Sequence, residues 1–299
     1  MPLLRDTSWD ALLAFAEFAE DRNFTHAARR LNLSQPALHN KVATLGAALG
    51  LVLYQRQGRQ IEITEAGRKV QRFAREVAQA AEEFESELGE TRVAVPVSLA
   101  AGEGAYLYLL GEGLRSYRAA TRQPLRLETA TAQAAMEAVL SARVHLGVAP
   151  LERGTRQLVS EPLTLVGQVL AVPARHPMAG TSPARLRELD GAQLIVPPAG
   201  RPHRTMITTA LQSLNVSWEP VIEASGWELM LHFVRLGLGL AIVNACCKIP
   251  PGVAVRPLPE LPAVQYHVFH GRQPLPRRAE ELKAALLHAG DAWKHRSGR

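Results

Sequence analysis

Between Asn23 and Leu45 apolar residues recur at helical spacing on both sides of a single break, Asn32-Leu33-Ser34, and few folds accommodate that pattern. Ala27, Ala28 and Leu31 lie before the break; Ala37, Leu38, Val42 and Leu45 follow it. Two short helices meeting at a tight turn are predicted. Ser34 stands where a hydroxyl can cap free backbone N–H groups, and Pro36 falls in the first turn, where its missing donor costs nothing. Ala27, Ala28 and Ala37 allow the backbones to approach closely, as a helix-turn-helix requires. Gln35, His39, Asn40 and Lys41 then face outward, and such side chains read base edges in a major groove. Spacing alone fits an ordinary helical hairpin with a solvated polar face equally well.

The residues that follow favour the first alternative. Leu51 to Tyr54 reads as a strand, Gln55 to Gln60 as a polar turn carrying Arg56, Gly58 and Arg59, and Ile61 to Ile63 as the returning strand. A hairpin tipped with arginines directly after a helix pair makes a winged helix. From Arg22 to Arg75 the cations are Arg22, Arg29, Arg30, Lys41, Arg56, Arg59, Arg68, Lys69, Arg72 and Arg75, against the carboxylates Glu62 and Glu65 alone. That imbalance is the electrostatic footprint of phosphate binding, and it is more informative than the net charge of +6.

The run Phe24-Thr25-x-Ala27-Ala28-Arg29-x-Leu31-x-x-Ser34-Gln35-Pro36-Ala37-Leu38, followed by Leu45, Leu49-Gly50, Arg56 and Thr64-x-Ala66-Gly67, resembles the N-terminal domain of LysR-type transcriptional regulators. It departs from their pattern at His39, where a serine is usual, and at Gly46, where an acidic residue is usual. The resemblance implies promoter binding. On it, and on the outward positions above, Thr25, Arg29, Arg30, Ser34, Gln35, Pro36, His39, Asn40, Lys41, Arg56 and Arg59 form the expected DNA-binding set.

Trp9 opens an amphipathic helix (Leu12, Leu13, Ala16, Ala19) expected to complete the core of this domain. Thr64 caps a longer helix reaching about Leu88. Its apolar positions, Val70, Phe73, Val77 and Phe84 among them, step in a 3-4 rhythm that suits the seam of a two-stranded coiled coil; a helix packed on its own domain is the alternative. A dimer is expected on geometric grounds, since one winged helix covers half a site, and the resemblance implies a tetramer built from two dimers. The acidic run Glu82-Glu83-x-Glu85-x-Glu87 closes the basic region, and a boundary is placed near Gly89.

At 299 residues the chain exceeds one core, and 47% hydrophobic residues suffice for two or three. From Thr91 strands alternate with helices: strands at Arg92 to Val97, Leu125 to Glu128, His145 to Ala149, a long one at Leu163 to Val172, and Val264 to Phe269; helices at Gly104 to Ala119, Ala132 to Ser141, Pro183 to Leu189, Arg204 to Leu214 and Pro276 to Ala289. Short buried strands are read at Leu194 to Val196 and Gly239 to Val243. The motifs Pro173-x-x-His176-Pro177-Met178 and Val234-x-x-Gly237-x-Gly239-x-Ala241 resemble the LysR effector domain, itself similar to periplasmic binding proteins; Asn244 stands where a proline is common. The expected architecture is therefore α/β with an N-terminal winged helix-turn-helix (1–65), a linker and dimerisation helix (66–89) and a two-lobed effector-binding domain (90–299). Lobe I is expected at 90–163 and 268–299, and lobe II at 164–267.

Ligands of open α/β sheets bind beyond the carboxyl ends of strands, where helix N-termini offer free N–H groups. That rule selects Ser98, Gly102, Glu103, Thr129 and Thr131 on one side, and Arg201, His203, Arg204 and Asn244 on the other. The arginines suit a small carboxylate-bearing or zwitterionic metabolite, whereas Glu103 would repel an anion unless it serves the helix start or meets an amine.

Other function classes find little support. Gly102-Glu103-Gly104 and Gly237-Leu238-Gly239 lack the third glycine of a dinucleotide fingerprint, no nucleophile motif occurs, and no enzyme activity or cofactor is expected. An architectural DNA-binding protein remains an alternative, as does a thiol-responsive regulator using Cys246-Cys247, although adjacent half-buried thiols usually fill space. His267 and His270, three apart on a strand, fall on opposite faces, so no metal is assigned. Met1 to Asp10 carries both signs of charge and no apolar run approaches about 20 residues, so a cytoplasmic protein without a membrane segment is expected.

Overall fold

The computed structural model describes residues 7–58, 60–87, 96–151 and 157–297. Helices α1 (Trp9–Asp21), α2 (Phe24–Arg30) and α3 (Gln35–Leu49) bundle around Phe15, Phe18, Leu38, Val42 and Leu45, all 1% exposed or less. Each helix has a sequence-encoded start: the Ser8 hydroxyl accepts from the N–H of Ala11, Asn23 Oδ1 from those of Thr25 and His26, and Ser34 Oγ from that of Ala37. Phe18 and Phe24 stack with centroids 3.9 Å apart, and Tyr54 meets both rings edge-on. Tyr54 opens the wing, β1 (Tyr54–Gln57) paired antiparallel with β2 (Gln60–Ile63).

Helix α4 (Glu65–Glu87) begins at Thr64, whose hydroxyl accepts from the Gly67 N–H and donates to the Val52 carbonyl. Its first turns lie on α1: Val70 and Ala74 are buried in the winged-helix core, and Gln71 reaches the carbonyl of Ala16. This corrects the coiled-coil reading at its first position, because Val70 serves its own domain. Phe73 and Phe84 are exposed and Val77 half-buried, so an outward apolar stripe begins at Phe73. The boundary near Gly89 and most of the strand expected at Arg92 to Val97 lie outside the described residues.

The first strand that follows is β3 (Val97–Ala101), after which the helical stretch runs as α5 (Glu103–Ala105), a π-helical turn (Tyr106–Leu110) and α6 (Gly111–Thr121). Next come β4 (Leu125–Thr129), α7 (Ala132–Leu140), β5 (Leu146–Pro150), β6 (Leu158–Val166) and β7 (Gln168–Pro173). Then follow β8 (Ala192–Val196), α8 (Pro202–Ser213), β9 (Trp218–Glu223), α9 (Trp227–Arg235), β10 (Leu240–Asn244), β11 (Val253–Pro257), β12 (Val264–Gly271) and α10 (Arg277–Ser297).

Two five-stranded mixed sheets result, ordered β4-β3-β5-β12-β6 and β11-β7-β10-β8-β9. Each has three parallel strands joined through helices and two antiparallel strands beside them. The two-lobed expectation holds, but the long strand read at Leu163 to Val172 is two strands in different sheets, separated at Gly167. Val166 before the break and Val169 to Val172 after it are buried and apolar, so periodicity carries little sign of the crossing beyond Gly167 and Gln168. Sheet membership accordingly moves the first crossing from 163/164 to Gly167, and the return from 267/268 to the segment between Pro257 and Val264. The helix expected at Pro183 to Leu189 is one 3-10 turn, Leu186–Leu189. Arg185 before it is extended and its N–H meets Glu188 Oε1.

That turn is held by Arg256 of β11, 8% exposed, which donates to the carbonyls of Ser182 and Pro183 and to both oxygens of Glu188. The guanidinium, with the N–H of Arg185, holds the Glu188 carboxyl below the usual carboxylate range. Arg256→Ala strands those acceptors, and the effector domain is expected to lose about 2 kcal/mol, read from its urea midpoint at unchanged slope.

Candidate nucleic-acid face and interlobe seam

Along α3 the side chains of Gln35, Pro36, His39 and Asn40 are exposed. The α2–α3 turn sets their height: Asn32 adopts a left-handed conformation and Leu33 donates back to Ala28. Thr25 Oγ1 donates to Gln35 Oε1 at 3.1 Å, which leaves the amide nitrogen of Gln35 as a donor. His39 Nε2 lies 3.4 Å from the Tyr54 hydroxyl, so the residue that departs from the family pattern ties α3 to the wing. Ser34 spends its oxygen on the helix cap.

The cations divide. Arg29 and Arg56 are exposed and form no ion pair among the described residues, whereas Arg30 is engaged by Glu17 and Asp21 of α1, and Lys41 by Asp10. Arg75 likewise meets Glu17 and Glu20. Counting charges from Arg22 onward misses these carboxylates of α1, which the bundle brings beside the basic segment. Arg59 lies outside the described residues.

In the C-terminal domain the loops after β3 and β4 meet lobe II across a seam. Glu103 begins α5 and its carboxylate faces Gly226, where a Cβ would stand 3.9 Å from Oε2. Gly104 has no side chain because Trp227 occupies that space: a Cβ there would fall 2.9 Å from the indole Cδ1. The His203 ring lies edge-on to the indole at 4.6 Å. His203 Nε2 bonds Gln168 Oε1 at 3.1 Å. Gln168 is the register partner of Asn244 on β10, and Asn244 Nδ2 donates to the Tyr266 hydroxyl of lobe I at 3.3 Å. Gln168 and Asn244 are each 3% exposed. Gln168 Nε2, His203 Nδ1 and Asn244 Oδ1 are buried without a hydrogen-bond partner.

Several expected ligand contacts are elsewhere. Ser98 is inside β3 near its start, hydrogen-bonded to His145 by side chain (2.5 Å) and backbone (3.0 Å), because the strand begins later than anticipated and the loop beyond its end starts at Gly102. Arg204 places its guanidinium over Trp218, 4.6 Å from the ring centroid. Thr131 caps α7 by accepting from the Ala134 N–H, and Thr129 is exposed at the end of β4. Arg201 is exposed before α8. Gln168, Trp227 and Tyr266 were not anticipated; Gln168 was signalled only as an amide interrupting an apolar run, and Trp227 by following the turn at Ser225-Gly226. Cys246 packs on the lobe I core and Cys247 is buried in that of lobe II, so the pair fills space between lobes. No cluster among the described residues has metal-ligand composition.

Among the described residues an ion-pair contact joins the two halves of the chain. Arg143, after α7, pairs with Glu128 at the end of β4 and lies 3.8 Å from Glu20 of α1.

The profile of the LysR substrate binding domain matches residues 87–291, and that of the bacterial regulatory helix-turn-helix protein, lysR family, matches residues 9–68. The uncharacterized HTH-type transcriptional regulator YeiE of Escherichia coli K12 is 28% identical over 272 residues, covering 88% of this chain and 92% of that one. A full-length OxyR variant from Pseudomonas aeruginosa superimposes with a TM-score of 0.70 at 21% identity, over 94% of this chain and 98% of that one. The full-length regulator CbnR in complex with its target DNA does so with a TM-score of 0.56 at 20% identity, over 95% and 99%. These likenesses show the same fold along 94% and 95% of the chain.

Proposed function

The chain belongs to the LysR family of DNA-binding transcriptional regulators, whose members are regulators and not enzymes, and from that premise we propose how this member works. Helix α3 enters the major groove of a promoter with Gln35, Pro36, His39 and Asn40 toward the bases, while Thr25, Arg29, Ser34 and the wing with Arg56 and Arg59 meet phosphates. Arg30 and Lys41 keep α1 in place and contribute charge at longer range. The observation that carries this reading is the exposed polar face of α3 beside the exposed Arg29 and Arg56, which form no ion pair among the described residues. CbnR was solved with its target DNA in the same fold, which supports it.

Two copies assemble through the outward stripe of α4. Phe73, Val77 and Phe84 supply the seam, and Phe73 borders a groove of about 580 Å³ lined also by Leu12, Leu49 and Leu51. Two such dimers form a tetramer. A small molecule in the interlobe seam changes the lobe angle, and the Glu128–Arg143–Glu20 contact carries part of that change to the winged helix. The coupling works only because the seam prefers a ligand in one of two lobe arrangements. No helix among the described residues is long and apolar enough to cross a membrane. Action on a chromosome places the protein in the cytoplasm.

Footprinting of the full chain on its own upstream region tests the reading. Discrete half-sites about one helical turn apart are expected, whereas uniform coverage would favour an architectural role. Arg29→Ala with Arg56→Ala is expected to lower the salt slope of log K by about 1.8, from two phosphate contacts at about 0.9 each, with little change in sequence preference. Gln35→Ala is expected to cost about 1–3 kcal/mol of base discrimination at its position and leave that slope intact.

A further inference from the structure

The hydrogen-bonding capacity left open at the interlobe seam identifies the chemistry of the ligand. Gln168 Oε1 accepts only, so the His203 nitrogen facing it at 3.1 Å must carry the proton. Burial keeps this imidazole neutral, its pKa pushed down to about 4. Nδ1 is then a bare lone pair, buried and unpartnered. Asn244 donates its Nδ2 to Tyr266, which leaves Oδ1 as a second buried acceptor without a donor. Glu103, at the lobe I rim, adds a carboxylate that forms no hydrogen bond or ion pair among the described residues. Of the open side-chain donors, Gln168 Nε2 lies among these acceptors, and Nη1 of Arg204 is buried and unpartnered beside Trp218.

The cations expected to receive an anion do not balance this set. Arg204 rests over Trp218 with Nη1 open, His203 is uncharged, and Arg201, exposed like Glu103, lies before α8. Trp227, between Gly104 and His203, adds an aromatic ring whose quadrupole attracts positive charge. A carboxylate ligand here would face Glu103 and two lone pairs, with the Gln168 amide and the uncapped N–H groups at the starts of α5 and α8 to meet it. A nitrogen base rich in N–H groups would satisfy the carboxylate and both lone pairs.

We infer that the effector of this regulator presents a protonated nitrogen group, an amine, amidine or guanidine, to Glu103 and the face of Trp227, and donates N–H bonds to His203 Nδ1 and Asn244 Oδ1. The inference rests on the reading of the seam as the effector site, and it replaces the carboxylate-bearing or zwitterionic ligand suggested by the arginines in the sequence.

Matched probes test it on the full-length chain by thermal shift and isothermal titration. Benzamidine and agmatine form the cationic arm, and benzoate and succinate the anionic arm. The cationic arm is expected to raise the melting temperature in a concentration-dependent way and the anionic arm to leave it unchanged. Glu103→Gln is expected to weaken benzamidine or agmatine by about tenfold or more, through loss of a charge-assisted bond, with Glu103→Asp recovering part of the loss. Binding confined to the anions and lost in Asn244→Ala would overturn the ligand class while leaving the seam as the effector site. Cation binding indifferent to Glu103→Gln, or no shift from the cationic arm, overturns the assignment; silence in both arms also removes the support for the seam itself.

Discussion

Alanine at position 67 is expected to abolish DNA binding while the effector domain stays folded. Gly67 lies in the first turn of α4, where the helix passes directly over the chain leading into the wing. A Cβ there would stand 2.0 Å from the carbonyl oxygen of Leu53 and 2.8 Å from Cγ2 of Ile63. The first of these is backbone, and that carbonyl also accepts the N–H of Thr64, so neither atom moves away without displacing the helix start. Leu53 leads into the strand that carries Tyr54, which packs on Phe18 and Phe24, and Arg56. Overpacking against backbone at such a junction costs about 3 kcal/mol or more, a large part of the stability of a small domain. Hydrogen exchange checks this directly: protection is expected to fall across residues 9–87 and to persist in β3 to α10. Unchanged protection in α1 to α3 with intact promoter binding would contradict the packing.

Acid should weaken the effector domain before it weakens the winged helix. Two of its histidines, His145 and His203, are held by burial at pKa values of about 4, His145 with a smaller push from the charge of Arg126. Nδ1 of His145 also accepts the N–H of Ser98, a bond that a proton on that nitrogen would destroy. The unfolded chain takes up protons at both sites near pH 6.5, the folded chain only near pH 4, so stability is full above about pH 6.5 and falls as pH drops through this window. Each site contributes up to about 3 kcal/mol, from 1.36 kcal/mol per unit of displacement. Urea midpoints of the effector domain measured from pH 7 to pH 4 should decline accordingly. His145→Gln keeps an acceptor without the titration and should flatten roughly half the decline; an equally steep profile in that variant would remove His145 from the account.

Local chemistry made the front of the chain legible. Ser34 as a cap, Pro36 in the first turn, the alanines at the helix crossing and Thr64 before α4 act over a few residues, and such effects can be read in order along a sequence. The outward face of α3 follows from the same spacing. Alternation of strands and helices established an α/β domain, and two separated apolar strands suggested two lobes. What could not be read was the fate of groups whose partners lie far along the chain. Arg30 looked free until α1 brought Glu17 and Asp21 beside it. Val70 looked like a seam residue until α4 settled on α1, and Ser98 like a loop residue until β3 proved to start at Val97.

The effector seam shows the division most clearly. Its loops were located from the rule about strand ends, yet its chemistry depends on Gln168, Trp227 and Tyr266, which meet His203, Gly104 and Asn244 only when the chain has crossed between lobes twice. The break at Gly167 that sends the chain across is marked in the sequence only by that glycine and the amide of Gln168, because Val166 before it and Val169 to Val172 after it are buried and apolar. The sequence by itself determined the helix ends, the reading face and the order of strands and helices, since each depends on neighbours in the chain. The tertiary structure alone decided which charges are spent within the fold and which hydrogen-bonding atoms remain open for a ligand, because both are settled by residues distant in sequence and adjacent in space.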